Sequence, residues 1–139
     1  LTAREVLRTL RDQGVRAQAI GGMTLGADPI VGAVTALSFT EGPPLRGFIV
    51  RREAKDHGTG RRVEGNVEPG SRVVVVDDVV TTGGSTISAI EAAKEAGLEV
   101  VAVVCLVDRE EGGSEKLSRW PFYPIFVRSE VFVDPPGDS

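Results

Sequence analysis

Two apolar runs constrain this chain most. "RVVVVDD" (residues 72 to 78) and "EVVAVVCLVDR" (99 to 109) are rich in β-branched residues and show no alternation of polar and apolar positions. A strand with one face in water alternates, so an unbroken run of this length belongs to a parallel strand covered on both faces. Parallel neighbours need crossover connections, usually helical. The intervening "GSTISAIEAAKEAG" (84 to 97) fits one, with Ile87, Ile90 and Ala93 on one side and Gly97 as its stop.

The rest of the chain follows the same rhythm. "TARE" places Thr2 and Glu5 at capping-box spacing ahead of a stripe of Val6, Leu7 and Leu10, with Gly14 as a stop. A short strand is expected over 15–20, broken by Gly21-Gly22. A helix over 24–37 follows, with Pro29 tolerable only in its first turn. "LRGFIVRR" (45 to 52) reads as a strand, "SEKLSR" as a short polar helix and "YPIFVR" as a last strand. Strands alternating with helices predict an α/β fold: a doubly wound, mostly parallel five-stranded sheet flanked by helices. With no linker, repeat or low-complexity stretch, residues 1–139 read as one domain.

No apolar run approaches the roughly 20 residues that span a bilayer, and no signal segment opens the chain. The expectation is a cytoplasmic protein with no membrane role. A net charge of -4 argues against a nucleic-acid partner. The single cysteine, Cys105, lies inside "VVAVVCLV" and reads as a small buried hydrophobe.

Chemistry concentrates in two places. In "VVVVDDVVTTGGST" (73 to 86), Asp77 and Asp78 end the valine strand, and Val79 to Ser85 lead into the next helix. In open parallel sheets ligands bind beyond the carboxyl ends of the strands. The first amides of a helix have no intrahelical partner and favour an anion, and Gly83 and Gly84 permit close approach or positive φ. Thr81, Thr82, Ser85 and Thr86 add hydroxyls. This turn reads as a phosphate cradle, and the carboxylates as partners for sugar hydroxyls or a bound cation such as Mg²⁺. A plain capped helix start explains the hydroxyls but not the acidic pair. "GGMTLG" (21 to 26) fails the dinucleotide spacing and is compatible with a second anion-facing turn.

The other place is "RREAKDHGTGRR" (51 to 62), where five basic residues stand against two acidic ones around the only histidine, His57. A basic island in an acidic chain receives an anion, or is a solvated loop. Asp108 reads as structural or solvent-facing. Trp120, Phe122, Tyr123 and Phe126 read as core or interface, with base stacking as the alternative.

These segments together resemble a known family. "VVVVDDVVTTGGST" resembles the phosphoribosyl pyrophosphate (PRPP) signature of type I phosphoribosyltransferases. "VRREAKDHGTGRRVEG" resembles the catalytic loop of the orotate phosphoribosyltransferases, matching at Arg51, Arg52, Lys55, His57, Gly58 and Glu64-Gly65, with Arg52 where lysine is usual. "LVDREEG" resembles the strand end that meets orotate, and "GGMTLGADPI" the pyrophosphate loop. The match runs from about residue 18 to the end.

The resemblance implies transfer of ribose 5-phosphate from PRPP to orotate, giving orotidine 5'-monophosphate and pyrophosphate, with Mg²⁺ as cofactor. It implies PRPP binding by Asp77, Asp78, Val79, Val80, Thr81, Thr82, Gly83, Gly84 and Ser85, with Thr24 and Leu25 at the pyrophosphate. It assigns orotate to Arg109 and Thr81, catalysis to Arg51, Arg52, Lys55 and His57, and metal contact to Asp77 and Asp78 through ribose hydroxyls or water. It also implies a homodimer with shared active sites. The family carries an N-terminal hood ahead of this core. Because the chain opens at Leu1 on a capped helix, the expectation is either an incomplete version of a longer protein or a member without the hood. Two rival readings are a PRPP-sensing regulator without catalysis and a phosphoribosyltransferase for another base.

Overall fold

The computed structural model describes residues 2–53 and 62–131. In chain order the elements are α1 (Thr2–Asp12), β1 (Ala19–Met23), α2 (Asp28–Glu41), β2 (Arg46–Val50), β3 (Val63–Gly65), β4 (Arg72–Val80), α3 (Gly84–Glu95), β5 (Glu99–Asp108), α4 (Gly113–Lys116), β6 (Phe122–Val127) and α5 (Arg128–Val131). One sheet of six strands has the order β3-β2-β1-β4-β5-β6. Every pairing is parallel except β2 with β3.

The valine run behaves as its composition demands. Val73, Val74, Val75 and Val76 are all fully buried, but on alternate faces. Val73 and Val75 join the core under α3, with Ala89, Ile90, Ala93 and Cys105. Val74 and Val76 join the core under α1 and α2, with Val6, Leu10, Val31 and Val34. Each central strand is therefore sandwiched between helices, which accounts for the missing alternation.

Three expectations need correction. The first strand runs over Ala19–Met23 rather than 15–20, and Gly21 and Gly22 lie inside it. A Cβ on Gly21 would run into the Phe48 ring, and one on Gly22 into the Val76 carbonyl and the Ala27 methyl. The glycines thus let neighbours pack onto a central strand. The second helix begins at Asp28, because residues 24 to 27 form a turn, and continues to Glu41. The sheet has a sixth strand, β3, whose three residues are too short to show a period. α3 ends as expected: Gly97 adopts φ +85° and its amide donates to the Lys94 carbonyl at 2.9 Å.

Candidate active site

Strand order reverses between β1 and β4, since β1 leads outward to β2 while β4 leads the other way to β5. A crevice beyond the carboxyl ends of these two strands is the usual ligand position in such sheets. Five segments meet there. The β1–α2 turn is held by the Thr24 amide donating to Val50 at 2.8 Å and the Ala27 amide donating to Met23 at 3.1 Å. It lies beside the acidic pair, for a Cβ on Gly26 would stand 3.0 Å from Asp78 Oδ1. The β5–α4 loop is joined to the β4–α3 turn by Arg109 N donating to the Val80 carbonyl (2.9 Å) and Gly113 N to that of Thr81 (3.0 Å). The β2–β3 stem is fastened to α3, Arg62 Nη2 donating to Ser88 Oγ at 2.8 Å.

β4 extends past the acidic pair to Val80, and the pleat sends adjacent residues to opposite faces. Asp77 is buried beneath α3, where Oδ2 accepts from the Thr86 hydroxyl at 2.9 Å and Oδ1 from the Asp78 amide at 2.8 Å. Asp78 is half-buried, faces the Gly26 side, and accepts the Val79 amide at 2.8 Å. Burial, reinforced by Asp78, raises the Asp77 carboxyl from 3.8 to about 6. Asp77 thus fastens the cradle helix, and Asp78 is the carboxylate nearer the crevice.

Gly83 precedes α3 with φ +91°, and no side chain caps the helix. The amides of Thr82 and Gly83 have no partner among the described residues, and those of the first helical turn have none within the helix. Thr82, Gly84 and Ser85 are exposed, while Thr81 is half-buried. Val79 is exposed and Val80 is core. In the β1–α2 turn Leu25 is 79% exposed, and Thr24 Oγ1 donates to Asp28 Oδ2 at 2.8 Å.

Arg109 is exposed at the end of β5, its Nε 3.2 Å from Glu111 Oε2. Asp108 is structural: it is buried, and its Oδ1 accepts the Glu110 amide at 2.8 Å. Arg51 Nε pairs with Glu64, and Arg52 is exposed. Arg62 clasps the stem to the cradle helix through the Arg51 carbonyl (2.9 Å) and Ser88 Oγ (2.8 Å). Lys55 and His57 lie outside the described residues. Cys105 is core, its thiol pushed up to about 12 by burial and then by Asp108 and Asp77. Trp120, Phe122 and Tyr123 pack against the core, whereas Phe126 is 51% exposed.

Thr86, expected to add its hydroxyl to the turn, is instead buried and donates to Asp77; the roles of Asp28 and Glu111 carry no sequence signal beyond the Thr24/Asp28 spacing of four. No helix among the described residues is long and apolar enough to cross a membrane. A groove of about 570 Å³ between α1 and the feet of β1 and β2, lined by Leu7, Leu10, Val15 and Leu45, contains none of the crevice residues.

Residues 37–138 match the phosphoribosyl transferase domain family. The chain is 49% identical over 115 residues to the orotate phosphoribosyltransferase of Aquifex aeolicus, covering 81% of this chain and 63% of that protein. It is 52% identical over 119 residues to that of Streptomyces coelicolor, covering 84% and 65%. The chain therefore spans a little under two thirds of the length of these relatives. A crystal structure of Mycobacterium tuberculosis orotate phosphoribosyltransferase in complex with PRPP superposes with a TM-score of 0.78. It is 30% identical, and the match covers 95% of this chain and 74% of that one. A family match over most of the chain, close sequence relatives and a shared fold agree: the chain belongs to the phosphoribosyltransferase family, alongside the orotate phosphoribosyltransferases.

Proposed function

We propose that this chain transfers ribose 5-phosphate from PRPP to orotate, forming orotidine 5'-monophosphate and pyrophosphate. The observation that carries this reading is the pairing of two anion-facing turns across one crevice. The Thr82–Ser85 cradle offers free amides to a terminal phosphate, and the Thr24–Gly26 turn stands opposite with two more. Asp78 lies between them, suited to the ribose hydroxyls.

In the reaction the bond from the anomeric carbon to pyrophosphate breaks and a bond to the pyrimidine nitrogen forms, with inversion; the nitrogen's proton leaves to solvent or a base. Negative charge grows on pyrophosphate as the sugar becomes cationic, so cations that arrive in the transition state accelerate the step selectively. Arg51, Arg52, Lys55 and His57, on and next to the segment between β2 and β3, are proposed to supply them. Arg109 has its ω nitrogens available while Nε meets Glu111, and a guanidinium binds a carboxylate by paired bonds.

The fold family implies Mg²⁺. Among the described residues no cluster of three or more metal-ligating side chains exists, and both Asp77 oxygens are engaged. These donors fit an ion held mainly by substrate phosphates and water, with Asp78 alone reaching it from the chain. Bound there, it would neutralise charge on the pyrophosphate. We further infer a homodimer with shared active sites, on the strength of the catalytic-loop resemblance.

The test is to incubate the protein with PRPP and Mg²⁺ plus orotate, uracil or adenine, and follow nucleotide formation. Orotidine 5'-monophosphate from orotate alone is expected. PRPP binding without transfer to any base would favour a sensor, and preference for another base would overturn the substrate.

A further inference from the structure

In the β1–α2 turn one side chain is only half accounted for. Asp28 Oδ2 accepts the Thr24 hydroxyl at 2.8 Å, while Oδ1 is buried and has no hydrogen-bond partner among the described residues. A carboxylate oxygen left so is costly. It is retained here in the first turn of α2, where the helix's own amides favour negative charge.

The Thr24–Asp28 bond closes the turn across its middle. Apart from it, the turn is held by backbone bonds alone: Thr24 N to Val50 O, Ala27 N to Met23 O and Asp28 N to Leu25 O. Between those points the amides of Leu25 and Gly26 carry no bond among the described residues. With its proton committed to Asp28, Thr24 Oγ1 cannot donate into the crevice, so the donors the turn can offer an incoming anion are those two amides.

We propose that Asp28 is a positioning residue for pyrophosphate: by anchoring the Thr24 hydroxyl it fixes the turn that presents the Leu25 and Gly26 amides. This rests on the reading of residues 24–26 as the pyrophosphate side of the PRPP site. Asp28 touches no substrate itself. Its charge would repel pyrophosphate were the first turn of α2 not beside it, so any benefit comes from geometry. Removing Asp28 should therefore loosen the turn without disturbing the cradle at Thr82–Ser85.

The experiment is calorimetric titration with pyrophosphate plus Mg²⁺ and, separately, with ribose 5-phosphate. Asp28→Ala and Thr24→Val should each weaken pyrophosphate about tenfold, the loss of a hydrogen bond to a charged group, and leave ribose 5-phosphate unchanged. The double variant should be no weaker than either single, because both remove one interaction. Asp28→Asn, which keeps an acceptor for Thr24, should stay close to wild type. Thr24→Val is nearly isosteric and decides the matter if Asp28→Ala does not fold. Unchanged pyrophosphate affinity, equal loss of both ligands, additive losses, or Asp28→Asn falling as far as Asp28→Ala would each overturn the inference. If wild type binds neither ligand, the PRPP reading falls with it; if wild type binds both and the variants match it, only the role of Asp28 falls.

Discussion

Asp77 does its work by being buried. Its folded carboxyl titrates near 6 against 3.8 in the reference state, so the folded protein binds the proton more tightly than the unfolded chain. This group's contribution to stability is therefore fully present below about 3.8 and is lost as pH rises through about 6. Asp77→Asn removes the titration. The stability of wild type relative to this variant should fall by on the order of 2–3 kcal/mol between pH 4 and pH 7, as measured by denaturant unfolding of the ligand-free protein. A constant difference across that range would refute the assignment. Arg109 is the complementary case, exposed, with its guanidinium paired to Glu111. Arg109→Ala should raise the orotate KM roughly tenfold or more, by loss of a charge-assisted contact of about 1.5–3 kcal/mol, and change the PRPP KM far less. Steady-state kinetics with each substrate varied would separate the two; equal effects would point to another base.

At the scale of elements, β1 shows why glycines can belong to the middle of a sheet. A methyl at Gly22 has nowhere to go against the Val76 carbonyl, so Gly22→Ala should cost at least about 2 kcal/mol. Gly32 lies inside α2 with nothing within 4 Å of its virtual Cβ, so Gly32→Ala should stabilise by about 0.5–1 kcal/mol. Thermal unfolding of the two variants checks both signs. The same contrast explains what the sequence made legible. β4 and β5 were readable because covering both faces erases alternation, and that erasure is itself a pattern. β1 was misread because Gly21-Gly22 look like a break, while the reason for them, Phe48 on one side and Val76 on the other, is tertiary. β3 was invisible because three residues carry no period. The turn around Gly83 was legible, but not where the strand ahead of it ends, nor the division within the acidic pair. That division follows from β4 running on to Val80, which puts Asp77 under Thr86 and Asp78 in the crevice.

For the whole molecule, the two halves of the sheet contribute different parts of the proposed site. β1 and β2 bring the 24–26 turn and the stem of the basic segment, while β4 and β5 bring the cradle and Arg109. If the protein is a homodimer in which the basic segment reaches the neighbouring crevice, mixed dimers of Lys55→Ala and Arg109→Ala subunits should regain activity. One site would then carry both lesions and the other neither. Activity after re-association, against each single variant, reads this out; no recovery despite confirmed mixed dimers would mean each subunit uses its own segment. PRPP is proposed to lie across the β1/β4 reversal. A crystal structure of this protein with PRPP and Mg²⁺ tests it most directly. The 5-phosphate is expected on the amides of residues 82–85, the ribose hydroxyls at Asp78, and the pyrophosphate on the Leu25 and Gly26 amides. PRPP bound elsewhere, or bound in the crevice with its two ends exchanged, would contradict it.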